Sequence, residues 1–113
     1  MEIIKVKRPW GSFEQFTHNE NSTVKLLYVE KNGLLSLQKH SRRDEFWKII
    51  SGAPLVEIDG QKFEAKVGDE FTIKAEKTHR ISAPEGDVVF LEIATGDFDE
   101  NDEVRLEDEY NRK

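Results

Sequence analysis

Ser22-Thr23-Val24-Lys25-Leu26-Leu27-Tyr28-Val29-Glu30-Lys31-Asn32-Gly33-Leu34-Leu35-Ser36-Leu37-Gln38-Lys39-His40 reads as two β-strands and the turn between them. Its first half is rich in β-branched, aromatic and aliphatic side chains, and Asn32-Gly33 supplies two residues that tolerate positive φ. Residues 34–40 then form the returning strand. Outward from there, residues 45–50 make another strand, stopped by Ser51-Gly52. Residues 54–58 and 61–66 flank Asp59-Gly60, a hairpin with a two-residue loop. Residues 70–74 follow the Val67-Gly68-Asp69 turn, residues 78–83 end at Pro84-Glu85-Gly86, and residues 88–94 form the most apolar strand. At the start, residues 2–7 alternate so that one side can be buried, and Trp10-Gly11 after Arg8-Pro9 is a local turn with an aromatic anchor or a piece of barrel-end packing. Strands at roughly 8–12 residue spacing, with no sustained helical period, predict an all-β sandwich or barrel.

The 113 residues are enough for one domain with a real core, and residues 1–113 are expected to form it without a linker. Residues 97–113 are dominated by Asp, Glu and Asn and are expected to be an acidic, solvated tail or a short surface helix. Apolar residues make up 36% and charged residues 35%; the seven Phe, two Trp and two Tyr argue against disorder. The net charge of −6 weighs against nucleic acid, which needs a basic face. No apolar stretch approaches the ~20 residues that span a bilayer, so no membrane role is expected. Met1-Glu2-Ile3-Ile4-Lys5 is too charged for the apolar segment of a signal peptide, and a cytoplasmic protein is the expectation. With no cysteine, disulfides and thiolate metal sites are excluded.

The chemistry gathers around two of three histidines. His18 lies in a polar loop and is expected to be exposed. Gln38 and His40 are two apart on a strand and point to one face. Glu45 opens the next strand and His79 arrives after the Gly68-Asp69 turn and a further strand. Two imidazoles, a carboxylate and an amide oxygen form a mixed nitrogen/oxygen set for one divalent ion, zinc first, with manganese, cobalt, iron or nickel also compatible. Each residue alone reads as an ordinary surface or satisfied polar group; the spacing changes that.

Gly33 through Glu45, with Gly52 beyond, resembles the first cupin motif, in which a glycine precedes two ligands one residue apart, then a glutamate, then a glycine. Gly68-Asp69-Glu70-Phe71-Thr72-Ile73-Lys74-Ala75-Glu76-Lys77-Thr78-His79 resembles the second, with Lys74, Glu76 and Ala83 in place of the usual Pro, Gly and Asn. A closer resemblance is to the cupin domain of type II phosphomannose isomerases, often fused to mannose-1-phosphate guanylyltransferases. It is carried by Arg8-Pro9-Trp10-Gly11-Ser12-Phe13-Glu14, Leu35-Ser36-Leu37-Gln38, Arg43 with Glu45 and Trp47, His79-Arg80, and Asp102-Glu103-Val104-Arg105-Leu106-Glu107-Asp108-Glu109-Tyr110. Ser41-Arg42 stand where that family has a histidine-rich run, and Phe46 where it has a histidine before the tryptophan. These departures bear on the substrate rather than on the fold.

The resemblance implies a cupin double-stranded β-helix, or jelly-roll barrel, with Gln38, His40, Glu45 and His79 as metal ligands. It implies interconversion of mannose 6-phosphate and fructose 6-phosphate through a cis-enediol, in a homodimer whose partner molecule is a small sugar phosphate. No nucleotidyl transfer is expected of these residues. Arg43 is the leading substrate contact, with Arg42 and Arg80 as further candidates or surface charges. Glu92 interrupts an apolar strand: facing inward, burial would raise its pKa and suit it to proton transfer; facing outward, it is a surface charge. A non-catalytic sugar-binding or regulatory cupin, and another metal-dependent cupin enzyme such as an oxygenase, are the alternatives.

Overall fold

The computed structural model describes residues 2–96 and 102–108, which form strands and no helix. In chain order the strands are β1 (Ile4–Arg8), β2 (Gly11–Gln15), β3 (Ser22–Val29), β4 (Leu37–Lys39), β5 (Arg43–Ser51), β6 (Leu55–Ile58), β7 (Gln61–Glu64), β8 (Glu70–Ile73), β9 (His79–Ser82), β10 (Val88–Gly96) and β11 (Val104–Glu107). They build two sheets, ordered β3-β10-β5-β8 and β11-β4-β9-β6-β7, plus the separate hairpin β1-β2. Every ladder is antiparallel, and most neighbours are far apart in sequence, as in a jelly roll.

Local chemistry explains the corners. Asn32 takes φ 68° at the β3 turn, where Gly33 N–H donates to Glu30 O at 2.7 Å. Asp59 and Gly60, at φ 51° and 82°, close the β6-β7 hairpin, the conformation that favours these two residue types. Gly52 ends β5 at φ 91°, and a Cβ there would lie 2.4 Å from the Asp87 carbonyl oxygen, so only glycine fits.

Period-two alternation sends one side of each sheet into a shared core. Val29, Trp47, Ile49, Ile73, Val88 and Phe90 from the first sheet meet Val56 and Ile81 from the second, with Val56, Ile81 and Phe90 fully buried. The outer face of β5 is also covered: Phe46, paired with Ile93, stacks on Phe16 with ring centroids 5.3 Å apart.

Several expectations need adjusting. Residues 34–40 form a strand only at β4; before it the chain meets β9 at scattered points, a Leu34–Ser82 bridge and Leu35 N–H to Ile81 O at 3.0 Å. Trp10 sits at the tip of the β1-β2 hairpin and is 73% exposed, so it is not packed at the barrel end. The C-terminal stretch is neither a helix nor a free tail over residues 102–108: β11 pairs with β4 and extends the second sheet. Its apolar Val104 and Leu106 face solvent, while Arg105 turns to the half-buried side and pairs with Glu103 at 2.6 Å. Residues 97–101 and 109–113 of that stretch lie outside the described residues.

Candidate metal centre

Between the sheets, a cavity of about 110 Å³ collects the polar residues singled out by the sequence. β4 supplies Gln38 and leads into His40, β5 alternates Arg43, Glu45 and Trp47 inward, β9 begins with His79, and β10 contributes Phe90 and Glu92. The two-residue spacing of Gln38 and His40 does put both on the cavity face. His40, Glu45 and His79 are all buried, with ligand atoms within 4.8 Å of one another.

The tautomers are fixed by the surroundings. His40 Nδ1 lies 2.9 Å from the Asp102 carbonyl and His79 Nδ1 lies 3.0 Å from the Lys77 carbonyl. A carbonyl can only accept, so both Nδ1 atoms carry the proton and both Nε2 lone pairs point toward the cavity. His40 Nε2 is 3.2 Å from one Glu45 oxygen, and His79 Nε2 is 3.8 Å from the other. Trp47 Nε1 donates to Glu45 at 3.0 Å and stands edge-on to the His79 ring. Gln38 donates its amide nitrogen to Ser36 Oγ at 3.2 Å, which leaves the amide oxygen as its donor atom for a cation. Two oriented imidazoles and a carboxylate in a buried pocket are a donor set that fits a divalent ion, with carbonyl partners behind each imidazole.

Electrostatics follow from burial and crowding. Burial opposes the Glu45 carboxylate, but contact with His40 and the charges of His79, His40 and Arg43 outweigh it and hold its pKa at about 2. Burial pushes the His79 imidazole below its ordinary value. His40 is drawn above its ordinary value, because Glu45 and the Asp102 carbonyl overcome the opposing effect of burial. Glu92 is only 8% exposed and faces the cavity, so the surface-charge reading of it is set aside. Burial, then the neighbouring Glu45 charge, lifts it to about 7.

The arginines separate clearly. Arg43 is buried, its Nε donating to Glu45 at 3.0 Å and its terminal nitrogen to His40 Nε2 at 2.9 Å. Arg80 lines the cavity while donating to the Leu35 carbonyl at 3.0 Å and pairing with Glu107 at 2.9 Å. Arg42 is exposed, paired with Asp102. His18 is exposed beside Asn19, as expected.

Asp102 was not singled out from the sequence as a site residue. Its carboxylate accepts from the Ser41 hydroxyl, the Ser41 N–H and the Arg42 N–H, while its carbonyl holds His40. The Ser41 hydroxyl and these amides keep its pKa down at about 2. Ser41-Arg42, a departure from the resembled family, is therefore the dock for this segment. The departure at Phe46 lies on the outer face under Phe16, away from the cavity. Glu76 stands where the second cupin motif has glycine and carries the positive φ of 74° itself, its N–H donating to His40 O at 2.6 Å.

Two antiparallel sheets closing over an inward-facing His/Glu/His cluster define a cupin. A cupin protein from Bacteroides fragilis superposes with a TM-score of 0.62 at 26% identity, covering 66% of this chain and 65% of that one. The sequence model of the family described as mannose-6-phosphate isomerase C-terminal matches residues 2–108, and the chain belongs to that family. The alginate biosynthesis protein AlgA of Pseudomonas aeruginosa is 33% identical over 110 residues, and the mannose-1-phosphate guanylyltransferase ManC of Salmonella typhimurium 32% identical over 111. Each match takes in 96% of this chain but only 23% of the relative, so the chain spans about a quarter of the length of these relatives.

Proposed function

We propose that this domain is a metal-dependent aldose–ketose isomerase acting on a sugar phosphate of the mannose 6-phosphate type. The observation that carries the proposal is the buried His40–Glu45–His79 cluster with a protonatable Glu92 beside it, in a chain of the mannose-6-phosphate isomerase C-terminal family. His40, Glu45 and His79, with the Gln38 amide oxygen, would hold one divalent ion, zinc or another borderline metal. Such an ion supplies Lewis-acid polarisation of the oxygens on C1 and C2.

The remaining work falls to the chain. Glu92 has a pKa of about 7, so at neutral pH it can both take and return a proton. As carboxylate it removes the C2 proton of the open-chain aldose while O1 gains one; O2 then gives up its proton and Glu92 returns one to C1. The net change is isomerisation, with no atom gained or lost. Arg43, with Arg80 also on the cavity lining, supplies positive charge for an anionic substrate, and Trp47 and Phe90 wall the cavity. The same reading puts the protein in the cytoplasm with its phosphorylated substrate. Among the described residues no helix is long and apolar enough to cross a membrane.

The test is interconversion of mannose 6-phosphate and fructose 6-phosphate by the metal-loaded domain, before and after chelation. His40→Ala and His79→Ala are expected to lose both bound metal and turnover. Equal metal content in wild type and both variants would remove the histidines from the ligand set. Metal and sugar binding without turnover would favour a sugar-binding cupin instead.

A further inference from the structure

Arg43 makes a contact that a substrate-binding role does not explain. Its guanidinium bridges two of the four candidate ligands, through Nε–H to Glu45 at 3.0 Å and through a terminal N–H to His40 Nε2 at 2.9 Å. A guanidinium can only donate, and His40 Nδ1 already carries its proton toward the Asp102 carbonyl. The single Nε2 lone pair of His40 is therefore given to Arg43. A divalent ion bound through His40 needs that same lone pair. Two claimants cannot share it.

We propose that Arg43 and the divalent ion are alternative occupants of the His40–Glu45 pair. Without metal, Arg43 is the internal counter-cation: it neutralises the Glu45 carboxylate, which is only 3% exposed, and keeps two acceptor atoms 3.2 Å apart from repelling one another. When metal binds through His40, the guanidinium must release Nε2 and shift its position within the cavity that it lines together with Arg80, Glu92 and Glu103. Metal loading thus delivers the arginine to the substrate position, and an anionic sugar would meet it only in the loaded protein. The inference rests on the metal reading above and concerns how the site is filled rather than whether it is.

The wild-type protein carries the direct test. With ¹⁵N-labelled arginine, the Arg43 Nε–H signal, assigned by its loss in Arg43→Lys, is expected to be sharp and slow to exchange in metal-free protein. On saturation with Zn²⁺ it is expected to shift or be lost to solvent exchange. In parallel calorimetric titrations, Arg43→Met is expected to bind Zn²⁺ about tenfold more tightly or better, since no charge-assisted hydrogen bonds have to be broken. Arg43→Lys, which cannot bridge both atoms, should fall between Arg43→Met and wild type. Uptake of one Zn²⁺ with the Arg43 signal unmoved would overturn the inference while leaving the metal centre standing. No Zn²⁺ uptake by wild type would remove the metal centre, and this inference with it.

Discussion

Glu92 and Glu45 are neighbouring buried carboxylates pushed in opposite directions, and their linkage to stability has opposite signs. Glu92 rises from 4.5 to about 7 on folding, so the folded state binds the extra proton between those values. Its contribution is complete below pH 4.5 and is lost as pH rises through about 7. Glu45 falls to about 2, so its contribution is present above pH 4.5 and lost as pH falls toward 2. Metal-free protein is therefore expected to lose stability between pH 5 and 7 by on the order of 2–3 kcal/mol, and Glu92→Gln to remove most of that slope. Urea unfolding of both proteins across that range is the measurement; parallel slopes would mean Glu92 is not proton-linked. Glu92 also marks where sequence alone ran short. A carboxylate in an apolar strand was visible, but which face it took depended on a register with Trp47 and Lys25 that only the folded sheet defines.

The elements divide by how local their causes are. The β6-β7 hairpin and the β3 turn were legible because two adjacent residues determine them. The shared face of Gln38 and His40 was legible because residues two apart on a strand point the same way. β11 was not, since its apolar residues point outward while Arg105 turns to the half-buried side and pairs with Glu103, so the usual alternation is inverted. Its value lies in a long-range contact: Asp102, just before it, clasps Ser41 and Arg42 and offers its carbonyl to His40. Asp102→Ala keeps the carbonyl but loses the clasp that positions it. Metal affinity is expected to fall by about 10- to 100-fold, as for other partners that orient metal-binding histidines. Calorimetric Zn²⁺ titration checks this, and an unchanged affinity would mean that β11 pairing alone holds the segment.

At the scale of the molecule, β3 is an edge strand whose outward residues Val24, Leu26 and Tyr28 are all more than half exposed. The β1-β2 hairpin pairs with neither main sheet and presents Ile4, Trp10 and Phe13 to solvent. An open edge and a row of exposed apolar side chains are what a second copy of the chain would cover. A homodimer is the expected state, and light scattering should give twice the 13.1 kDa chain mass; the monomer mass at working concentration would count against it.

Proton exchange reaches the chemistry most directly, because it registers even when net isomerisation is slow. Metal-loaded protein incubated with mannose 6-phosphate in deuterated water should replace the C2 hydrogen with deuterium, followed by proton NMR. The rate is expected to rise with pH as Glu92 ionises, to vanish in Glu92→Gln, and to stop on chelation. Exchange that survives chelation, or no exchange with any hexose phosphate in the metal-loaded protein, would contradict a metal-dependent isomerase.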